Sequence, residues 1–177
     1  GGVTFSVPAG VKAGDEVAQN TEFKLHTSYE DILANPFRHG TYYVVSFDQS
    51  VKGLLPGAPV EFRGIQIGKV ERIMLKEGLE ITKSLGEQGK GISIPILIYI
   101  EPGRMELPDS EDSIATMRES VKIGVNNGLR ATMASGNLIT GAKYISIDFF
   151  AGAKAASLGS FLENNTITTM DSGLAQL

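Results

Sequence analysis

Few side chains in this 177-residue sequence have chemistry to offer. There is no cysteine, so disulfides, thiolate metal sites and cysteine nucleophiles are excluded. Imidazole comes only from His26 and His39. A His-rich metal site is therefore excluded, and a Ser-His-acid triad would have to use one of those two. No Gly-x-Ser-x-Gly elbow accompanies them, and both read as solvated or locally bonded rings. Glu106, Asp109, Glu111 and Asp112 could suggest calcium, but they lack EF-hand spacing. Asp109, Glu111 and Asp112 crowd the start of a predicted helix, where free amides and the helix dipole favour carboxylates. Gly86-Glu87-Gln88-Gly89-Lys90 lacks the full phosphate-loop spacing, and no helix is expected after it. No catalytic residue, metal or cofactor is expected. The residue types point to a binding module rather than an enzyme.

One segment resists a bland reading. Ala134-Ser135-Gly136-Asn137-Leu138-Ile139-Thr140-Gly141 has turn residues at both ends and two large aliphatics at its centre. Exposed Leu and Ile gain nothing from water. Either Leu138 and Ile139 tuck back into their own core, or they face a partner, a lipid or symmetry mates.

The elements that must position this loop are mostly strands. Thr41 to Phe47 is β-branched and aromatic. A turn follows over 52–57. Residues 59–63 and 64–73 alternate, with Gly68 marking a bulge or a close backbone approach. In residues 92–100 every even position is Ile, and Pro95 predicts an edge strand or a bulge. The polar, glycine-rich stretch 77–91 reads as a long hairpin tip. Ile114, Met117, Val121 and Val125 fall on one helical face, which predicts a helix over about 110–127, ended by Asn126-Asn127-Gly128. Residues 129–133 and 143–149 read as the last strands. Residues 29–37 hold a possible helical turn, which Pro36 would end, and 150–170 read as linker.

Bulk properties narrow the class. The net charge is −4 and the basic residues are scattered, so nucleic acid is not an expected partner. The hydrophobic fraction of 42% suits one good core. No apolar run reaches membrane-span length. The opening Gly1-Gly2-Val3-Thr4-Phe5 resembles the interior of a protein, so a piece of a longer chain is expected. Gly14 to Thr21 echoes Gly159 to Thr166, sharing Gly, Asn and Thr at an offset of 145 residues. The echo is either chance, since these are common turn residues, or the mark of tandem units.

The pattern Val44, Phe47, Gly53-Leu54, Gly57, Val60, Gly64-Ile65, Ile67-Gly68, Val70, Ile73 resembles the opening of an MCE (mammalian cell entry) domain. Gly128-Leu129-Arg130-Ala131 and Ser135 to Ile147 resemble its end. The likeness covers about residues 41–150, and the echo favours multi-unit members of the family. The resemblance implies a mainly β fold, a small MCE-type β-barrel of about seven strands with one short helix. Residues 1–40 would be the tail of a preceding unit plus linker, 41–151 the barrel, and 152–177 a linker and the start of a following helix. It further implies homo-hexameric rings, stacked with neighbouring MCE units into a conduit for phospholipid acyl chains. That conduit would stand in the periplasm of a Gram-negative bacterium, in a protein anchored in the inner membrane beside an inner-membrane partner protein. Leu138 and Ile139, flanked by Asn137 and Thr140, would line the pore; the family's usual pair is two leucines, so Ile139 is a departure. Gly53, Gly57, Gly64, Gly68, Gly136 and Gly141 would shape the frame. The competing expectation is a scaffold or adhesion module of the bacterial envelope that carries no lipid.

Overall fold

A computed structural model describes residues 16–22, 36–84, 92–137 and 139–170. His26, most of the possible helical turn at 29–37, the glycine-rich run 86–91, Leu138 and the expected helix start at 171–177 lie outside the described residues. The chain divides into a short unit, Gly1–Pro36, and a larger one, Phe37–Leu177. In the short unit a turn at Gln19 and Asn20 is closed by Thr21, whose N–H and Oγ1 both donate to the Ala18 carbonyl. The echoing stretch turns elsewhere. Its left-handed residue is Leu162, which the echo matches to Val17, whereas in the short unit Asn20 takes that conformation. The shared letters do not give a shared backbone.

The larger unit is one eight-stranded sheet with two helices among the described residues. In chain order these are β1 (Thr41–Phe47), β2 (Pro59–Phe62), β3 (Ile65–Ile73), α1 (Leu75–Ser84) and β4 (Ile94–Ile100). A single 3-10 turn, Pro102–Met105, leads to α2 (Glu111–Asn126). Then come β5 (Leu129–Asn137), β6 (Ala142–Phe149), β7 (Gly159–Phe161) and β8 (Asn164–Thr166). The order across the sheet is β5-β6-β2-β3-β4-β1-β8-β7. Its two flanks meet: the Ala131 N–H of β5 donates to the Thr168 carbonyl, and the Met170 N–H donates to the Ala131 carbonyl. The residues just after β8 thus close a barrel, which removes a sheet edge that would otherwise be unpaired.

The core lies inside that curl. Alternation puts Tyr43, Val45 and Phe47 of β1, and Ile96, Ile98 and Ile100 of β4, on the inner face, each at most 1% exposed. Ile145 and Ile147 of β6 and Ile167 belong to the same cluster. Gly68 lets β3 and β4 approach closely, since a Cβ there would stand 2.0 Å from the Tyr99 carbonyl oxygen. The helix α2 starts at its N-cap Ser110, whose hydroxyl accepts from the Ser113 N–H, and it buries Ile114, Met117 and Val125.

Four expectations need correction. Residues 75–84 form α1 rather than a hairpin tip; the buried Gly78 lets the helix lie against Pro95, where a Cβ would meet the ring at 2.7 Å. The stretch 150–170, expected as linker, supplies β7, β8 and the seam, because β1 has a flank to pair and Ile167 N–H donates to the Val44 carbonyl. Pro95 is in a central strand, not at an edge. Its carbonyl accepts from Met74 just past the last β3 partner, Ile73 opposite Ile96, so no β3 carbonyl waits for its missing N–H. Lastly, Asp109 does not cap α2; its carboxylate serves the chain at residues 38–39.

Candidate functional site

The β5–β6 hairpin builds the apolar loop from its own backbone. Gly136 is the extra residue in β5, between the pairs Ser135 with Lys143 and Asn137 with Ala142, and it turns the strand end. The Asn137 side-chain oxygen accepts from the N–H groups of Ile139 (2.8 Å) and Thr140 (3.1 Å). The Thr140 hydroxyl accepts from Ala142 N–H at 3.3 Å, and Gly141 N–H donates to the Asn137 carbonyl at 2.9 Å. Short polar side chains closing on nearby amides are what make such turns stable. The Asn137 side-chain oxygen, the Asn137 carbonyl and the Thr140 hydroxyl are therefore spent on the tip. Ile139 does not fold back: it is 96% exposed. Asn137 and Thr140 are structural parts of the turn, and both are exposed.

The loop rests on a second turn. Gly53 has φ +90°, and a Cβ on it would lie 2.1 Å from the Gly141 carbonyl oxygen. Gly141 itself has φ +68°. The Lys143 N–H donates to the Gly53 carbonyl at 2.9 Å, and the Lys143 ammonium donates to the Ser50 carbonyl at 3.1 Å. Two motif glycines far apart in sequence thus meet backbone to backbone under the loop. Gly57, preceded by Pro56 in a tight turn, and Gly64, in the two-residue β2–β3 turn, lie elsewhere, both at positive φ.

At the other end of the same hairpin lies a feature that no sequence pattern announced. A pocket of about 230 Å³ opens between α2 and the barrel interior. Its floor includes Ile67, Ile100 and Ile147, its helix wall Met117 and Val121, and its rim Leu107 and Phe149. Val121 reads in sequence as one more core position, yet it is only half-buried. The lining comes from segments spread over a hundred residues, so no local spacing could reveal it.

The acidic residues before α2 form a latch. Asp109 accepts from Arg38 N–H (3.0 Å), from His39 N–H (2.9 Å) and from the His39 ring Nδ1 (3.0 Å). The Arg38 amide, aided by the His39 backbone and ring, holds the Asp109 carboxyl below its ordinary range, against the opposing effect of burial. Glu111 and Asp112 occupy the first turn of α2. Among the described residues, no three of His, Cys, Asp and Glu gather as metal ligands. Burial pushes the Tyr43 phenol up to about 12, partly offset by the Arg118 guanidinium. None of these groups places an acid, base or nucleophile beside the exposed loop. No helix among the described residues is long and apolar enough to cross a membrane.

Comparison with known proteins bears on this frame. A family model described as MlaD protein matches residues 39–150. Among solved structures, the chain is similar to one in the Acinetobacter MlaFEDB complex in its ATP-bound Vtrans1 conformation. The identity is 18%, the match covers 77% of this chain and 79% of that one, and the TM-score is 0.39.

Proposed function

The chain belongs to the MlaD protein family, the MCE domains its motifs resemble, and on that premise we propose that it is a lipid-transport module. Its barrels form a homo-hexameric ring in the full protein, with the β5–β6 loop tips meeting at the axis. Leu138 and Ile139 line that pore, beside Asn137 and Thr140. Stacked on neighbouring MCE units, the ring is one segment of a conduit for phospholipid acyl chains between the inner and outer membranes. The whole protein is anchored in the inner membrane and works with a partner protein there.

The observation that carries this reading is Ile139, 96% exposed in a loop whose Asn137 and Thr140 side-chain oxygens already close on its own amides. Nothing in the loop needs Ile139 outside for folding, so the exposure asks for a function. Repetition around an axis turns one exposed aliphatic pair per chain into a continuous apolar ring. A methylene taken out of water gains about 0.8 kcal/mol, so such a ring holds lipid tails without any reactive group. Transport requires weak specificity, and a bare hydrocarbon lining supplies it.

The test is photo-crosslinking in the full tandem protein, with a photoreactive residue at 138 or 139. Lipid adducts are expected, and the double change Leu138→Asn with Ile139→Asn should abolish lipid capture by a crosslinker at 140. Unchanged capture would sink the pore assignment. Light scattering on the same protein should give six chains per ring. A monomer that captures no lipid would leave a scaffold or adhesion role in front.

A further inference from the structure

Apolar surface stands at both ends of the β5–β6 hairpin, and only one end belongs to the pore. From Asn137 to Leu129 the strand runs roughly 25 Å, so the pocket under α2 is remote from the loop tip. Two hydroxyls, Thr116 and Ser120, face the pocket, but both are spent. Thr116 Oγ1 donates to the Asp112 carbonyl at 3.0 Å, and Ser120 Oγ donates to the Thr116 carbonyl at 3.0 Å. The rest of the lining is hydrocarbon and thioether. With both hydroxyl protons committed to the helix, the walls have no free donor and only these two hydroxyl oxygens as acceptors, so a sugar, a headgroup or a peptide backbone would lose most of its water bonds there without replacement. The volume of about 230 Å³ exceeds the roughly 150 Å³ that suffices for a dry apolar cavity to take a benzene-sized guest. Met105 and Met117, unbranched and polarizable, can adapt to a guest of variable length. Leu107 and Phe149 stay partly exposed at the rim.

We propose that this pocket binds the terminal part of a single alkyl chain, at a site separate from the pore. A narrow concavity that reaches the barrel core and recognises no polar atom fits a hydrocarbon tail better than a protein surface. The site does not depend on ring closure or on Ile139.

The experiment is methyl NMR of Met105 and Met117 in the full chain, titrated with straight-chain alkanoates from hexanoate to dodecanoate below their micelle concentrations. Both methyls should shift saturably. Affinity should rise about fourfold per added methylene and then level off once the pocket is full. Ser120→Phe, which puts a ring into the mouth, should weaken binding at least tenfold; Thr116→Phe should do the same from the next turn, in case the first variant fails to fold. Ile139→Asn should leave this binding unchanged, while it weakens lipid capture in the pore. Shifts that never saturate, or binding that survives both fillers, would overturn the proposal. So would methyl signals that move with protein concentration alone, since a second copy would then be covering the pocket.

Discussion

The two ends of the β5–β6 hairpin solve one problem in opposite ways. At the loop end, Asn137 and Thr140 close the polar groups of the turn, and the aliphatic side chain is left pointing outward. At the α2 end, Thr116 and Ser120 close on their own helix, and the aliphatic groups line a concave pocket. In both places side-chain polar groups engage nearby backbone, and aliphatic surface is left uncovered. A convex tip can be covered only by something that comes to meet it, whereas a concave pocket can cover a guest by itself. The anchoring differs as well. The loop sits on backbone, with Gly53 against Gly141. The pocket end is tied by the buried Arg130, whose guanidinium donates to the carbonyls of Val125 (2.8 Å), Leu129 (2.7 Å) and Lys154. It joins the end of α2, the start of β5 and the turn after β6.

The hardest blow to this contrast should come from Gly53→Val. The new Cβ would strike the Gly141 oxygen at a φ that L residues avoid, and we expect a loss of about 3 kcal/mol in urea unfolding. An unchanged midpoint would mean that the loop is not seated there. Next is Arg130→Met at the opposite end. It takes the charged donor from three carbonyls, of which that of Val125 keeps the Gly128 N–H, and should cost about 2 kcal/mol. It should also perturb alkanoate binding while leaving pore capture intact.

Asp109→Asn should cost about 1 kcal/mol, since a neutral amide accepts more weakly from Arg38 and His39. The pH dependence has a definite sign. The Asp109 carboxyl is held below its ordinary 3.8, so its contribution is complete above that value and is lost as pH falls through the lower folded value. Hydrogen exchange at Arg38 and His39 should show protection disappearing in that acid window, and the Asn variant should show no such step. The smallest effect on folding is expected from Ile139→Asn, within about 0.5 kcal/mol, because the side chain is already in water. A large destabilisation, read by the same urea unfolding, would show that Ile139 packs against its own barrel.

Much of the architecture was legible because its cause is local. β-branched and aromatic residues marked β1, alternation marked β4, the spacing of Ile114, Met117, Val121 and Val125 marked α2, and glycine-bearing turns separated the strands. The oddity of the loop was legible too, since turn residues around an aliphatic pair are odd at any position, but only the structure decided that Ile139 stays outside. What the sequence hid is what depends on distant neighbours. The helix α1 carries Gly78, which argues against a helix until Pro95 is seen beside it. The strands β7 and β8 have three residues each, too few for a period, and they form because β1 has a flank to pair.

By itself, then, the sequence determined the barrel class, the family and the apolar loop. Each rests on residue type and spacing within a few turns of chain. Only the tertiary structure decided that Asp109 serves the backbone at 38–39 rather than α2, that Gly53 and Gly141 meet, and that a pocket lies under α2. Those facts arise where separated segments compete for the same space and the same hydrogen bonds, and no spacing along the chain records the winner.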